Sequence, residues 1–174
     1  FHEPDGRFFL SCYRSSSERQ LILQLGSKTT SEAWVLDAAT PQAAFSCVAP
    51  REEGHEYDVD HGTLNGEWRW LIRSNQHGIN FALLYASEAA PQRTHWQLLR
   101  EHDPQVMLEG VTLNQQALIL SLRENGLLGQ KAHVHQGFCR GGQAQFHLQG
   151  QGINTIQQLA TWNKKELLKL HGFG

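Results

Sequence analysis

Cysteine is scarce in this chain. Cys12, Cys47 and Cys139 stand far apart with no C-x-x-C pair, which argues against a disulfide framework and for reduced thiols. Long apolar runs are missing too. Nothing approaches the roughly 18 residues of a membrane-spanning helix, and no basic stretch leads into an apolar one at the amino end, so the expectation is a cytoplasmic protein without membrane contact. Neither sign of charge dominates, with 15 Lys and Arg against 17 Asp and Glu for a net charge of −2. That balance excludes a global basic field for nucleic acid or anionic lipid and leaves only local contacts. The 174 residues suffice for one domain of ordinary size, or one domain with an appendage. Because the first residue is Phe1 and not Met, the expectation is a processed product or a piece of something larger.

What is present is short strand-like alternation broken by turn residues at regular intervals. The pattern predicts strands at Phe8 to Tyr13, Leu21 to Leu25, Ala33 to Leu36 and Ala44 to Val48. It restarts at Tyr57 to His61, Trp68 to Arg73, Phe81 to Tyr85 and His95 to Leu99, and a third round opens with Met107 to Leu113 and Ala117 to Leu122. Leu21 to Trp70, Ala33 to Ala82 and Trp70 to Ile119 each span 49 residues, and Phe45 to Trp96 spans 51. Four short strands in each period of about fifty residues mark the blade of a β-propeller. The competing architecture is a β-sandwich of unrelated hairpins. Two and a half blades cannot close a ring, so an open stack should be marginal alone, aggregate, or complete itself by homo-oligomerising.

Three stretches in order and spacing, GHEYDVDH, WLIRSNQHGINFALLYAS and VMLEGVTL, resemble the propeller of the oligopeptidase B serine peptidases of the prolyl oligopeptidase family. The resemblance covers about residues 1–127. It implies a seven-bladed propeller capping an α/β-hydrolase domain, shielding a Ser-Asp-His triad from all but short peptides, with cleavage after basic residues. The chemistry itself is not implied for this chain, because the nucleophile elbow G-x-S-x-G occurs nowhere in it. No catalytic residue and no cofactor is therefore assigned, and the implied partners are the peptidase catalytic domain, other propeller blades and short peptide substrates.

Past Leu127 the pattern changes. Residues 128–150 are rich in Gly, Gln and His and read as a linker or poorly ordered edge, with weak alternation at AHVH and QFHL. Residues 151–174 switch to helical spacing through Ile153, Ile156, Leu159 and Ala160; Asn163 is an N-cap candidate, with Glu166 completing a capping box. This segment resembles the start of a helix-hairpin-helix domain such as that of the RNA polymerase α-subunit carboxyl-terminal domain. The resemblance implies phosphate-backbone contacts by the turn Gly172, Phe173 and Gly174. A two-helix cap over an apolar surface is the structural alternative. Two unrelated resemblances in one chain suggest a fusion or frameshifted product. The whole is expected to be a mainly β chain: a partial propeller of about two and a half four-stranded blades, with a short α-helical tail.

Several other residue groups bear on chemistry. His133, His135, Cys139 and His147 match no structural zinc spacing, so no metal site is assigned. His55 and His61 flank EYDVD and share a strand face with Tyr57 and Val59, while Glu56, Asp58 and Asp60 take the other face, which reads as a solvated carboxylate face. Trp34, Trp68, Trp70 and Trp96 read as packing between blades and Trp162 as an anchor for the tail; only Arg69 and Arg73 are interleaved to suit base stacking. The functional readings left open are the gating portion of a serine oligopeptidase, a stand-alone interaction module adding strands at an open edge, and a nucleic-acid module working through the tail.

Overall fold

The computed structural model describes residues 1–113, 117–124 and 127–134. Its eleven strands form three antiparallel sheets in chain order. The first contains β1 (Phe9–Arg14), β2 (Gln20–Gly26), β3 (Ser31–Asp37) and β4 (Ser46–Ala49). The second contains β5 (Tyr57–Leu64), β6 (Glu67–Ser74), β7 (Ala82–Ser87) and β8 (Gln97–Arg100). The third contains β9 (Val106–Leu113), β10 (Ala117–Glu124) and β11 (Leu127–Val134). Each sheet is a meander with neighbours in sequence paired, which is the construction of a propeller blade.

Why these blades stack follows from β6 and β7, whose alternate residues serve two different cores. Trp70, Ile72, Ala82, Leu84 and Ala86 pack with Ile22, Ala33, Val35 and Val48 of the first blade. Leu71 and Leu83, with Tyr85 beside them, pack with Leu108, Leu113, Leu118, Leu120 and Leu122 of the third. A strand flanked on both faces must be apolar at consecutive positions, and WRWLIR and ALLYAS meet that demand. A lone sandwich sheet with one wet face would not.

Register confirms the repeat and sharpens it. Ala33 lies opposite Ala49 and Trp34 opposite Cys47, with a bulge between. The same irregularity recurs where Leu83 lies opposite Arg100 and Leu84 opposite Leu98. Ala33 therefore corresponds to Leu83 and not to Ala82. The third round also departs by one residue from the expected spacing. Trp70 faces back toward the first blade, and the residues of β10 that face back toward the second are Leu118, Leu120 and Leu122, so the counterpart of Trp70 is Leu118 and not Ile119. Insertions fall in turns, where they cost little, and the register shifts with them.

Two stretches differ further from the sequence expectation. Residues 93–95 form a single 3₁₀ turn, so β8 begins at Gln97, after Trp96. The third blade also runs seven residues into the stretch that composition assigned to a linker from 128, because β10 pairs with β11 along its whole length, from Glu124 opposite Leu127 to Ala117 opposite Val134. The segments 135–150 and 151–174 lie outside the described residues.

Candidate functional site

β5, the first strand of the second blade, lies between β2 and β3 on one side and β9 on the other. Its outer edge carries backbone groups that β6 cannot pair. The first blade covers them. Ser31 Oγ accepts the Tyr57 N–H at 2.6 Å and lies 2.7 Å from the Tyr57 carbonyl, which also accepts from Gln24 Nε2 at 2.9 Å. Tyr13 donates its hydroxyl to the Val59 carbonyl at 3.1 Å, and the Ser17 N–H donates to the His61 carbonyl at 2.9 Å. Every second carbonyl of the edge from Tyr57 to His61 is thereby satisfied across the seam, removing the cost of an open strand edge. In return, the Tyr57 hydroxyl enters the bulge of the first blade, accepting from the Ala33 and Ala49 N–H groups at 2.7 and 3.2 Å and donating to the Ala49 carbonyl at 2.6 Å.

The serine-rich β1–β2 turn meets β5 at the other end of the seam. Ser17 Oγ lies 2.7 Å from His61 Nδ1 and 2.9 Å from Ser15 Oγ, and it accepts the Arg19 N–H at 3.2 Å. Asp60 accepts the Ser16 N–H at 2.8 Å and also bonds the Ser16 hydroxyl. His61 is fully buried, stacked against Trp68 with ring centroids 5.6 Å apart and tilted on Trp70 at 4.8 Å. Arg19 covers the other indole, 4.5 Å above Trp68, and pairs with Glu88 at 3.0 Å. Glu88 Oε1 stands 3.6 Å from His61 Nε2. A cavity of about 270 Å³ opens beside this turn, lined by residues 16–18, Gly62, Thr63, Trp68 and Leu113.

A serine on a histidine with a carboxylate behind it invites comparison with a nucleophile and its base. Its electrostatics argue otherwise. Burial, helped by the Arg19 charge, pushes His61 down to about 4, too weak a base to draw a hydroxyl proton near neutral pH. Ser17 Oγ is also committed to three neighbours. The cluster is a fastener between blades, and its hydrogen bonds hold the turn against β5.

His55 and Tyr57 share one strand face, as the alternation implied, and their rings stack at 5.1 Å beside Trp96. His55 Nε2 lies 2.9 Å from Ser74 Oγ, and burial lowers its pKa. The carboxylates of EYDVD make no acid–base pair. Asp58 holds Arg73 at 2.6 Å and Asp60 holds the serine turn, so two of these groups bind specific partners where a simply solvated face was expected. Trp70 is core, and its indole donates to the Glu88 carbonyl at 3.1 Å. Trp34 is met edge-on by Phe1. No cluster of three metal-ligating side chains occurs among the described residues. The side chains of His133, His135, Cys139 and His147, together with Trp162 and the turn Gly172, Phe173 and Gly174, lie outside them. Sequence reasoning missed Ser17, Gln24 and Ser31. Nothing in a turn or a half-buried strand position marks a residue as the partner of another strand 26 to 44 residues later.

Comparison with known proteins agrees with this architecture. Residues 1–161 match the prolyl oligopeptidase N-terminal beta-propeller domain. Dipeptidyl aminopeptidase BI of Pseudoxanthomonas mexicana is 31% identical over 128 residues, covering 73% of this chain and 17% of that protein. Protease 2 of Moraxella lacunata is 31% identical over 137 residues, covering 79% and 19%. Among solved structures, oligopeptidase B from Leishmania major superposes with a TM-score of 0.67 at 26% identity, covering 77% of this chain and 18% of that one. Oligopeptidase B from Trypanosoma brucei with covalently bound antipain gives 0.66 at 27% identity, covering 76% and 18%. The chain thus spans less than a fifth of the length of these relatives.

Proposed function

Because the chain belongs to the prolyl oligopeptidase family, as part of its N-terminal β-propeller domain, we propose that it is the non-catalytic, substrate-gating portion of a serine oligopeptidase acting on short peptides with basic residues. The observation that supports this reading is the closed seam: neighbouring blades are joined by apolar cores and by hydrogen bonds along the first strand, and in this reading the joined blades act as a wall that substrate does not cross. Such a wall filters by size and keeps bulk water from a reaction site. The residues for bond cleavage belong to a catalytic domain beyond this chain, in keeping with the missing G-x-S-x-G. A cytoplasmic location is part of the same proposal, supported by the free thiols Cys12 and Cys47.

The test uses the native polypeptide that carries these residues. It should hydrolyse an arginyl amide and short basic peptides, and spare the same site within a folded protein. Loosening the seam with Tyr57→Phe or Ser17→Ala should extend cleavage to longer peptides. An unchanged size limit in both variants refutes gating, and no cleavage of the arginyl amide refutes the peptidase reading. A second reading, a strand-adding interaction module, is favoured by one observation: β1 is a sheet edge whose six residues are all exposed. It requires a stable partner, or homo-oligomers, for the 174 residues alone.

A further inference from the structure

A larger cavity, of about 530 Å³, opens at the end of the first blade away from the serine turn, between the start of β1, the β2–β3 turn and the loop that follows β4. Phe8 and Phe9 line it, with the Arg51 guanidinium 4.0 Å over the Phe8 ring. The second blade packs the equivalent place. Ala49 lies opposite Ala33 and Arg100 opposite Leu83, so Arg51 holds the position of His102. His102 lies on Gly78 of the β6–β7 turn so closely that a Cβ on that glycine would stand 2.4 Å from its ring. Asn75 ties the same turn to the Gly54 carbonyl at 3.0 Å and the Glu56 N–H at 2.9 Å. In the first blade Arg51 is taken up by Glu3 at 2.6 Å and Glu32 at 2.8 Å. Gln24 lies opposite Ala33 and Arg73 opposite Leu83, so Gly26 stands where the second blade has Asn75, and a Cβ there would meet nothing within 4 Å.

The charges around this cavity are of two kinds. Arg7 is bound by Asp5 at 2.7 Å and Arg51 by its two glutamates, so both guanidiniums have their counter-ions within the chain. Lys28, on the β2–β3 turn, and Glu53, after β4, also line the cavity and are exposed. Among the described residues neither makes an ion pair or a side-chain hydrogen bond. A simple anion drawn to Lys28 would meet the Glu53 carboxylate, and a simple cation drawn to Glu53 would meet Lys28, so like-charge repulsion disfavours both. A molecule carrying one charge of each sign satisfies both residues. Because Lys28 and Glu53 stand on separate loops and do not pair with each other, that molecule must hold its two charges apart, which a single amino acid, with both on one Cα, does not.

We propose that this cavity is a binding site for a small zwitterion, a dipeptide with free ends and apolar side chains, its carboxylate on Lys28, its ammonium on Glu53 and its side chains against Phe8 and Phe9. The size agrees, since small-molecule sites run from about 300 to 1,000 Å³, with mostly apolar walls and a few polar groups that fix orientation. Two extended residues reach about 7 Å, enough to part the two charges. The inference rests on the cavity and its two unpaired charges, and it stands whether or not the parent polypeptide cleaves peptides.

Amide chemical shifts of the full 174-residue chain, titrated with the dipeptide Leu-Phe, test it. The amides of Gly6, Phe9, Thr29 and Thr30 should shift and saturate at millimolar dipeptide, while those of Val59 and Leu120 in the seams stay in place. N-acetyl-Leu-Phe and Leu-Phe amide, each lacking one charge, should bind about fivefold more weakly, as the loss of one exposed ion pair implies. Glu53→Gln should bind the free and the N-acetylated dipeptide equally and still discriminate against the amide. Lys28→Met should do the reverse. Both substitutions are of exposed side chains, and the unchanged seam amides report that the fold is intact. Absence of saturable shifts at the four cavity amides overturns the proposal, and so does binding of both blocked dipeptides as tightly as the free one. Acetate or methylammonium binding there as tightly as the dipeptide overturns the choice of a zwitterion in favour of a simple ion.

Discussion

Tyr57 shows how much one side chain decides in this fold. Its hydroxyl completes three backbone groups of the first blade, and its own backbone is held by Ser31 and Gln24. Tyr57→Phe leaves the Ala33 and Ala49 groups buried without partners, a loss of about 1–3 kcal/mol, read as a lower denaturant midpoint at unchanged slope. His61 adds a pH dependence. Burial holds it at about 4 in the fold against an ordinary value near 6.5 unfolded. Between those limits the unfolded chain binds the extra proton, so His61 favours the fold fully above about pH 6.5 and loses that contribution as pH falls to about 4. The contribution is at most on the order of 3 kcal/mol. Urea midpoints from pH 7 to 4 should fall more steeply for the native chain than for His61→Asn, and equal slopes would place the loss elsewhere. Alternation in GHEYDVDH was enough to put His55, Tyr57 and His61 on one face. Their partners Ser17, Gln24 and Ser31 were not legible, because a hydrogen bond between blades depends on how sheets stack and leaves no period in the chain.

Strands and turns were easier to read than their ends. The β5–β6 hairpin turns on Asn65 and Gly66, both at positive φ, as a two-residue Asn-Gly turn requires. Asn125 and Gly126 are the same dipeptide between β10 and β11, and they were the signal that a further strand begins at Leu127. The Gly, Gln and His content that follows masked it, since composition averages over the few residues that pair. Close packing between strands of different blades also sets a size limit at Gly62. A Cβ there would meet the Leu113 side chain at 2.3 Å, and Leu113 is buried in the second seam. Gly62→Ala should therefore destabilise by roughly 1–3 kcal/mol through overpacking. Gly62→Ala with Leu113→Val should recover part of that loss, and no recovery would place the strain outside the seam.

At the scale of the whole molecule, the middle blade belongs to two cores at once, and this couples the three sheets. Trp70 is 2% exposed within the first core, and its truncation to Ala should cost about 3–5 kcal/mol. Since Leu71 and Leu83 on the same strands serve the second core, unfolding should remain one transition by both fluorescence and circular dichroism. Two separated transitions would show that the blades are independent. The fifty-residue period made the blades visible in advance, whereas the hydrogen bonds that join one blade to the next became visible only once the sheets were stacked.

The most direct test of the central claim is the intact mass of the native polypeptide that contains this sequence in its source cells. A propeller portion of a serine oligopeptidase predicts a mass several times the 19.7 kDa of this chain, with the hydrolase nucleophile motif in the remainder. A native species of about 19.7 kDa would contradict it.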